Sequence, residues 1–311
     1  MGRMEGMVRE GKTIKIAVPH NTVTGGIELL HQLGAELNKY VKAELWYMYD
    51  TTEWRIPTDY LRYGNVVNNN IKKDDVLIFP EIWANYTNFP EYKYHKKFVF
   101  WEGVDAYFVH TPKTGWYKFG ENTRHISQSE YSNHFVADVL GDEYIEITDY
   151  INDDFLDCDI TGPREPIVLY SPAKGFEYTE KLIEYASDIT FIPIQNMGRE
   201  EIVELMKRSM VWIDFGYFPG KDRLPREAGS CGMCLITSRK GTARYEKDLW
   251  IPECYKMPDF SYADMGIIKD MIIHMFENFE AHQKHFELYR ERIKGEKRLF
   301  REGVKRLVDT L

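Results

Sequence analysis

Short apolar runs alternate along this chain with longer segments that carry an apolar residue every third or fourth position. The runs Thr13–Val18, Ala43–Tyr49, Asp75–Phe79 and Lys97–Trp101 read as strands buried on both faces. Between the first two, Gly25–Tyr40 places Ile27, Leu30, Leu33 and Leu37 on one face of a helix. Beyond Trp101 come the apolar run Val104–Val109, a short strand at His125–Gln128 and a helix over Ser129–Leu140. Ser129 is placed to cap that helix, and Tyr131, Phe135, Val136 and Leu140 form its buried positions. Asp, Asn, Gly and Pro then cluster between Asp149 and Pro166, which marks a linker. The alternation restarts with strands at Ile167–Tyr170, Ile189–Pro193, Val211–Phe215 and Met233–Thr237, and helices at Tyr178–Ala186 and Gly198–Arg208. From Tyr262 the pattern is helical, with Ile268, Met271, Ile272, Met275, Phe276 and Phe279 on one face. Such order predicts an α/β protein of two doubly wound parallel-sheet domains, residues 1–158 and 159–262, with carboxyl-terminal helices over 263–311 that pack back across the domains. The segment Asp50–Asp74 is long, aromatic and asparagine-rich, which predicts a functional or mobile loop.

Composition narrows the classes. A formal charge of −9 over 311 residues argues against a general nucleic-acid binder, so any polyanionic ligand must be met locally. Four cysteines, Cys158, Cys231, Cys234 and Cys254, are too few for a disulfide framework in a chain of this length and suit a reducing interior. There is no uninterrupted apolar stretch of membrane-spanning length, and Met1–Lys12 lacks an apolar signal core and reads as a disordered leader; the expected location is the cytoplasm.

In open α/β sheets ligands bind beyond the carboxyl ends of strands, so the loops after strands are the candidates. The run Val211–Gly232 leads from a strand ending in Asp214 through a glycine- and proline-containing loop to a helix beginning at Pro225. Lys221, Arg223 and Arg226 add positive charge to the unpaired N–H groups of a helix start, the makings of a phosphate site; a solvated turn of mutual ion pairs is the plainer reading. Glu227, read as lying on the first helical turn, is suited to a ribose diol, or is simply a carboxylate favoured by the helix dipole. In Ser171–Phe176, Lys174 can neutralise phosphate while Gly175 leaves room for it. In Ile194–Gly198, Asn196 and Met197 can read a flat base edge, or Met197 can plug the core. Gly25 and Gly26 at the start of the first helix permit close approach of a ligand, yet a tight turn explains them as well and the three-glycine dinucleotide fingerprint is absent. Asp157 and Asp159 flank Cys158 in a metal-like spacing but fall in the linker, and Cys231 and Cys234 form a lone CxxC without further ligands, so no metal is expected.

The segments GGIELLHQL, FPEIW, FVFWEGVDAYF, HISQSEYSNHF, ITDYI, SPAKGFEYT and IDFGYFPGKDRLPREAGSCG together resemble those of bacterial retaining glycosyltransferases of the B fold, the family-four-like group of polysaccharide and surface-glycan biosynthesis. The resemblance implies two Rossmann-like domains facing across a cleft, the nucleotide sugar held by the second and the acceptor by the first. It makes Lys174 the diphosphate-binding lysine and Glu227 the ribose-binding glutamate, and it puts Gly25 and Gly26 near the donor's phosphate and sugar. Where the family commonly has a second, sugar-contacting glutamate, this chain has Pro219; Asp222 then takes over sugar contact, while Lys221 or Arg223 helps bind the leaving phosphate. Retention in that family is ascribed to same-face displacement in which the leaving phosphate helps deprotonate the acceptor, so neither a protein nucleophile, a metal nor a cofactor is needed. Lys174, Asp222 and Asp105 form the expected catalytic set, with Glu102, His20 and His110 as further acceptor-side groups. The expected activity is transfer of a hexosyl or related sugar from a nucleotide sugar to a glycan or lipid-linked acceptor. A non-catalytic sugar-nucleotide or glycan-binding protein and a nucleotide-sugar epimerase are the alternatives. Arg290–Arg306 carries eight Lys/Arg against three Glu, a local net of +5, which suits a solvated helix face or weak contact with an anionic membrane surface.

Overall fold

The computed structural model of the protein describes residues 12–47, 56–110, 113, 118–257 and 264–311. Residues 1–11 of the leader expected over Met1–Lys12, and residues 50–55 of the long loop, lie outside the described residues. The chain forms two compact units, Met1–Asp149 with Arg298–Leu311, and Tyr150–Lys297.

The first unit is built on six parallel strands: β1 (Ile14–Val18), β2 (Ala43–Tyr47), β3 (Val76–Pro80), β4 (Lys97–Trp101), β5 (Thr123–Ser127) and β6 (Tyr144–Glu146), in the spatial order β2-β1-β3-β4-β5-β6. Every residue of β1 to β4 is buried, which is why these strands read as near-continuous apolar runs. The charged residues within them are internally satisfied: Lys15 pairs with Glu44 at 2.6 Å, and Lys97 donates to the Tyr92 carbonyl at 2.8 Å. Helix α1 (Gly25–Leu37) connects β1 to β2, starts at the Thr24 cap and buries the four leucine and isoleucine positions that its periodicity picked out. Helix α2 spans Val104–His110. The helix expected over Ser129–Leu140 is divided: α3 (Glu130–His134) is capped by Ser129 as anticipated, and Phe135–Leu140 widens into a π turn ended by Gly141 at φ 74°.

The described part of the long loop is ordered by polar contacts with α1. Thr58–Tyr63 forms a 3₁₀ run in which Tyr60 Oη accepts from the Thr24 N–H at 2.9 Å and donates to the Thr24 carbonyl at 2.8 Å. Arg62 pairs with Glu28, and Tyr63 donates to the same carboxylate at 2.7 Å.

The second unit carries β7 (Glu165–Tyr170), β8 (Thr190–Pro193), β9 (Ser209–Asp214), β10 (Cys234–Ser238) and β11 (Lys256–Met257), all parallel, in the order β8-β7-β9-β10-β11. Its helices are α4 (Asp153–Leu156), inside the expected linker, α5 (Phe176–Tyr185), α6 (Arg199–Arg208), α7 (Arg223–Ser230), α8 (Asp264–Glu277), α9 (Phe279–Lys284) and the start of α10 (Glu287–Asp309), which continues into the first unit. Cys158 and Cys231 are joined as a disulfide, Cα to Cα 5.2 Å, a pairing the small cysteine count did not suggest. Cys231 closes α7 and Cys234 opens β10, so the CxxC is a helix-to-strand junction in the core.

Both sheets share one topology. In each, the second strand in sequence lies outside the first and the third lies on its other side, so chain direction across the sheet reverses between first and third strands. The crevice beyond the carboxyl ends of those two strands is where open α/β sheets bind ligands.

Candidate functional site

In the second unit the reversal lies between β7 and β9, and the loops that leave their carboxyl ends are Ser171–Gly175 and Phe215–Asp222. The two loops touch through glycines. Gly175 has φ 62°, and a Cβ there would lie 2.5 Å from the Gly216 nitrogen; a Cβ on Gly216 would lie 2.6 Å from Lys174 Cβ. Side-chain bonds from the end of β10 and the loop after it fix the second of them: Ser238 Oγ donates to the Gly216 carbonyl at 2.6 Å and Thr242 Oγ1 to the Gly220 carbonyl at 2.8 Å. Beside this contact opens a cavity of about 470 Å³ lined by Lys174, Gly175, Tyr178, Gly216, Pro219 and Lys240 among others.

Two lysines and one carboxylate, Glu177, line the cavity. Lys174 is ion-paired with Asp222 and its ammonium lies 5.4 Å from the Phe218 ring; the Lys240 ammonium lies 5.0 Å from the Tyr178 ring. Behind Lys174, at the end of β9, Asp214 is 4% exposed and accepts from the Gly216 N–H at 3.0 Å. Burial pushes its carboxyl up to about 7; the Lys174 charge opposes that displacement and the neighbouring Asp222 charge adds to it. The arrangement suits an anionic ligand: a preformed concavity, ammonium groups at its wall and glycines that let a ligand approach the backbone.

Of the residues singled out by sequence, Lys174 and Asp222 meet here. Lys221 does not display its charge: it is buried against Glu296 of α10 at 2.6 Å. Arg226 is 1% exposed, binds the other oxygen of Glu296 at 2.7 Å, and donates to the carbonyls of Lys221 at 2.8 Å and Asp222 at 3.2 Å. These two cations therefore neutralise Glu296 and fasten the loop to α10, where the sequence had them adding positive charge to an anion site. Helix α7 starts at Arg223, two residues before Pro225, so Glu227 sits on its second turn, half-buried, and Arg223 on its first. Asp222 is the N-cap residue but makes no capping bond; its carboxylate is turned to Lys174. Asn196 is exposed in the left-handed region at φ 55°. Met197 packs on the core and lines a separate cavity of about 510 Å³ with Asp159, Pro163 and Leu205.

The first unit has its own group at the equivalent crevice. Gly25 and Gly26 open α1, and a Cβ on Gly26 would overlap the Glu102 carboxylate. The Glu102 N–H donates at 3.0 Å to Glu81, which is 5% exposed at the end of β3 and pushed up to about 7 by burial, against the pull of backbone N–H groups from Glu102, Glu81 and Gly103. Asp105 accepts from Tyr131 Oη at 3.3 Å through one oxygen, and its other oxygen is buried without a hydrogen bond. His20 bonds Thr22 at 2.6 Å and its imidazole is lowered by partial burial; His110 is exposed at the end of α2. Glu81, Asp214 and Lys240 were not picked out as site residues from sequence. The signal for the first two was a carboxylate at or just after the end of an apolar strand, FPE and WID.

Among the described residues there is no group of three or more His, Cys, Asp or Glu placed to hold a metal, and Asp159 is engaged by Thr161. No helix among the described residues is long and apolar enough to cross a membrane. Much of the basic charge of α10 meets protein partners: Lys297 pairs with Asp153, Lys294 with Glu291, Arg298 with Glu302, and Arg306 donates to the Glu146 carbonyl.

No protein-family model matches the chain, and no curated protein matches it in sequence. Solved structures do match in fold. Anabaena HepE in complex with UDP-glucose superposes with a TM-score of 0.64 at 9% identity, over 96% of this chain and 100% of that one. A glycosyltransferase from Rickettsia africae ESF-5 gives 0.63 at 12% identity, over 97% and 98%, and sucrose-phosphate synthase from Thermosynechococcus elongatus 0.60 at 14%, over 96% and 98%. The fold is thus that of the B-fold glycosyltransferases: two parallel-sheet, Rossmann-like domains with a helical carboxyl terminus.

Proposed function

We propose that this protein is a glycosyltransferase that takes its sugar from a nucleotide-sugar donor held in the second unit, with the diphosphate at Lys174. The observation that carries this reading is the lysine-lined, glycine-floored cavity at the reversal point of the second sheet. The likeness in fold to HepE, a protein captured with UDP-glucose, supports it. Breaking the bond from the anomeric carbon to the diphosphate requires stabilisation of negative charge on the leaving group, and fixed ammonium and N–H groups at the site supply it. In this reading Lys174 meets the leaving phosphate, Asp222 the donor sugar and Glu227 the ribose. The acceptor, a glycan or lipid-linked sugar of surface polysaccharide synthesis, is bound by the first unit with Asp105 among its contacts, while Gly25 and Gly26 lie near the donor's phosphate and sugar. The transfer retains anomeric configuration, the leaving phosphate taking the acceptor proton, and draws on no metal.

A thermal-shift screen of UDP-, GDP-, ADP-, CMP- and dTDP-sugars tests the donor assignment, since ligand bound to the native state raises the melting temperature by mass action. At least one donor is expected to raise it, and Glu227→Ala to abolish the rise; no shift with any donor contradicts the assignment. Pro219 in the place of the family's sugar-contacting glutamate favours one second reading, a sugar-nucleotide-binding protein without turnover. Release of nucleoside diphosphate from the bound donor separates the two, and conversion of donor alone into an isomer identifies an epimerase.

A further inference from the structure

Asp214 is a carboxyl group with too little around it to remain ionised beside a second polyanion. It sits at the carboxyl end of β9 and receives the Gly216 N–H. Its register partner on β10, Thr237, is fully buried, and the Thr237 hydroxyl makes no hydrogen bond. The charged groups that act on it are Lys174, from the loop after β7, and Asp222, from the loop after β9. Lys174 is already paired with Asp222. Lys240 lines the same cavity but is engaged with the Tyr178 ring. A diphosphate ester arriving at Lys174 would bring two further negative charges to an ammonium already paired with Asp222 and near the buried Asp214. Coulomb repulsion at the site then favours the neutral form of the most deeply buried carboxyl. That group is Asp214.

We propose that Asp214 is a proton-coupled counter-charge of the donor site: binding of a diphosphate ester at Lys174 draws a proton from solvent onto the Asp214 carboxylate, and release of the ester returns it. The proposal rests on the donor-site reading above. It makes Asp214 a positioning residue rather than a catalytic one, because it acts on the ligand through Lys174. Since the Asp214 carboxyl in the free protein already lies at about 7, proton uptake is small at pH 6 and substantial at about pH 7.5. Donor affinity accordingly falls as pH rises above 7, by at most about tenfold per pH unit.

The test is calorimetric titration of the full chain with UDP-glucose, GDP-mannose and ADP-glucose, whose diphosphate diesters carry no proton in this range, at about pH 7.5 in buffers of different ionisation enthalpy. The expected result is a buffer-dependent heat corresponding to roughly half a proton or more per donor bound. Asp214→Asn, which keeps an acceptor for the Gly216 N–H, is expected to retain binding, lose the buffer dependence and show a dissociation constant flat from about pH 6 to 8.5. Asp222→Asn removes the neighbouring like charge and is expected to move the linkage to lower pH, a result that does not depend on how Asp214→Asn folds. Binding with buffer-independent heat, or buffer dependence that survives Asp214→Asn unchanged, overturns the proton coupling and leaves the donor site standing. Where none of the three binds, the titration is run with the donor that shifts the melting temperature, and failure of every donor in that screen overturns both.

Discussion

Asp214→Asn is expected to stabilise the ligand-free protein at high pH and to have little effect at low pH. The ordinary aspartate value is 3.8, and burial lifts this carboxyl to about 7. Below pH 4 the folded and unfolded chains both hold the proton, so the group costs nothing. Between about 4 and 7 the folded chain keeps a proton that the unfolded chain has released, and folding stability falls as pH rises. Above 7 the full cost is present. At ~1.4 kcal/mol for each tenfold difference in proton affinity, that cost is about 4 kcal/mol. Asparagine carries no charge to bury, so the variant escapes the cost while the desolvation of its own amide returns part of it; a net gain of about 2 kcal/mol above pH 8 is expected. For a unit of this size that corresponds to a rise in Tm of about 4–8 °C. Differential scanning calorimetry of both proteins from about pH 5 to 9 reads it directly. A Tm difference that is constant across the range, or that grows toward acid, would refute the assignment of a buried, proton-holding carboxyl.

Gly216→Ala places a methyl group 2.6 Å from Lys174 Cβ and should cost about 1–3 kcal/mol in urea unfolding together with loss of donor binding. Glu296→Ala strips the shared partner from buried Lys221 and Arg226 and should cost about 3–5 kcal/mol; Glu296→Gln, which keeps acceptor capacity, should cost less. Gly26→Ala pushes the Glu102 carboxylate aside next to the donor's phosphate and sugar and should weaken donor binding and sugar transfer together, measured as donor affinity and nucleoside diphosphate release.

Much of the fold was legible because parallel strands buried on both faces leave an unmistakable apolar run. Strands β1 and β4, and the inward face of α1, lie where the periodicity put them. Strand β6 was missed because it is a short edge strand whose residues stay exposed or half-exposed and need no apolar pattern. The π turn after α3 was invisible for a different reason: it changes hydrogen-bond spacing without changing which residues are apolar. At the site, Lys174 beside Gly175 was readable as local chemistry. The roles of Lys221 and Arg226 were not, because their partner Glu296 lies 75 and 70 residues away and only the packed structure brings it there. Asp214 was visible as a strand-end aspartate, but its proton affinity depends on burial and on neighbours from two loops, neither of which sequence spacing encodes.

Equilibrium titration of nucleotide sugars into the wild-type protein and Lys174→Ala tests the central claim most directly. The account predicts that at least one donor binds the wild type and that the substitution weakens it by about 10- to 100-fold, the worth of a charge-assisted contact to phosphate. A donor that binds both proteins equally, or the absence of any donor that binds the wild type, would contradict it.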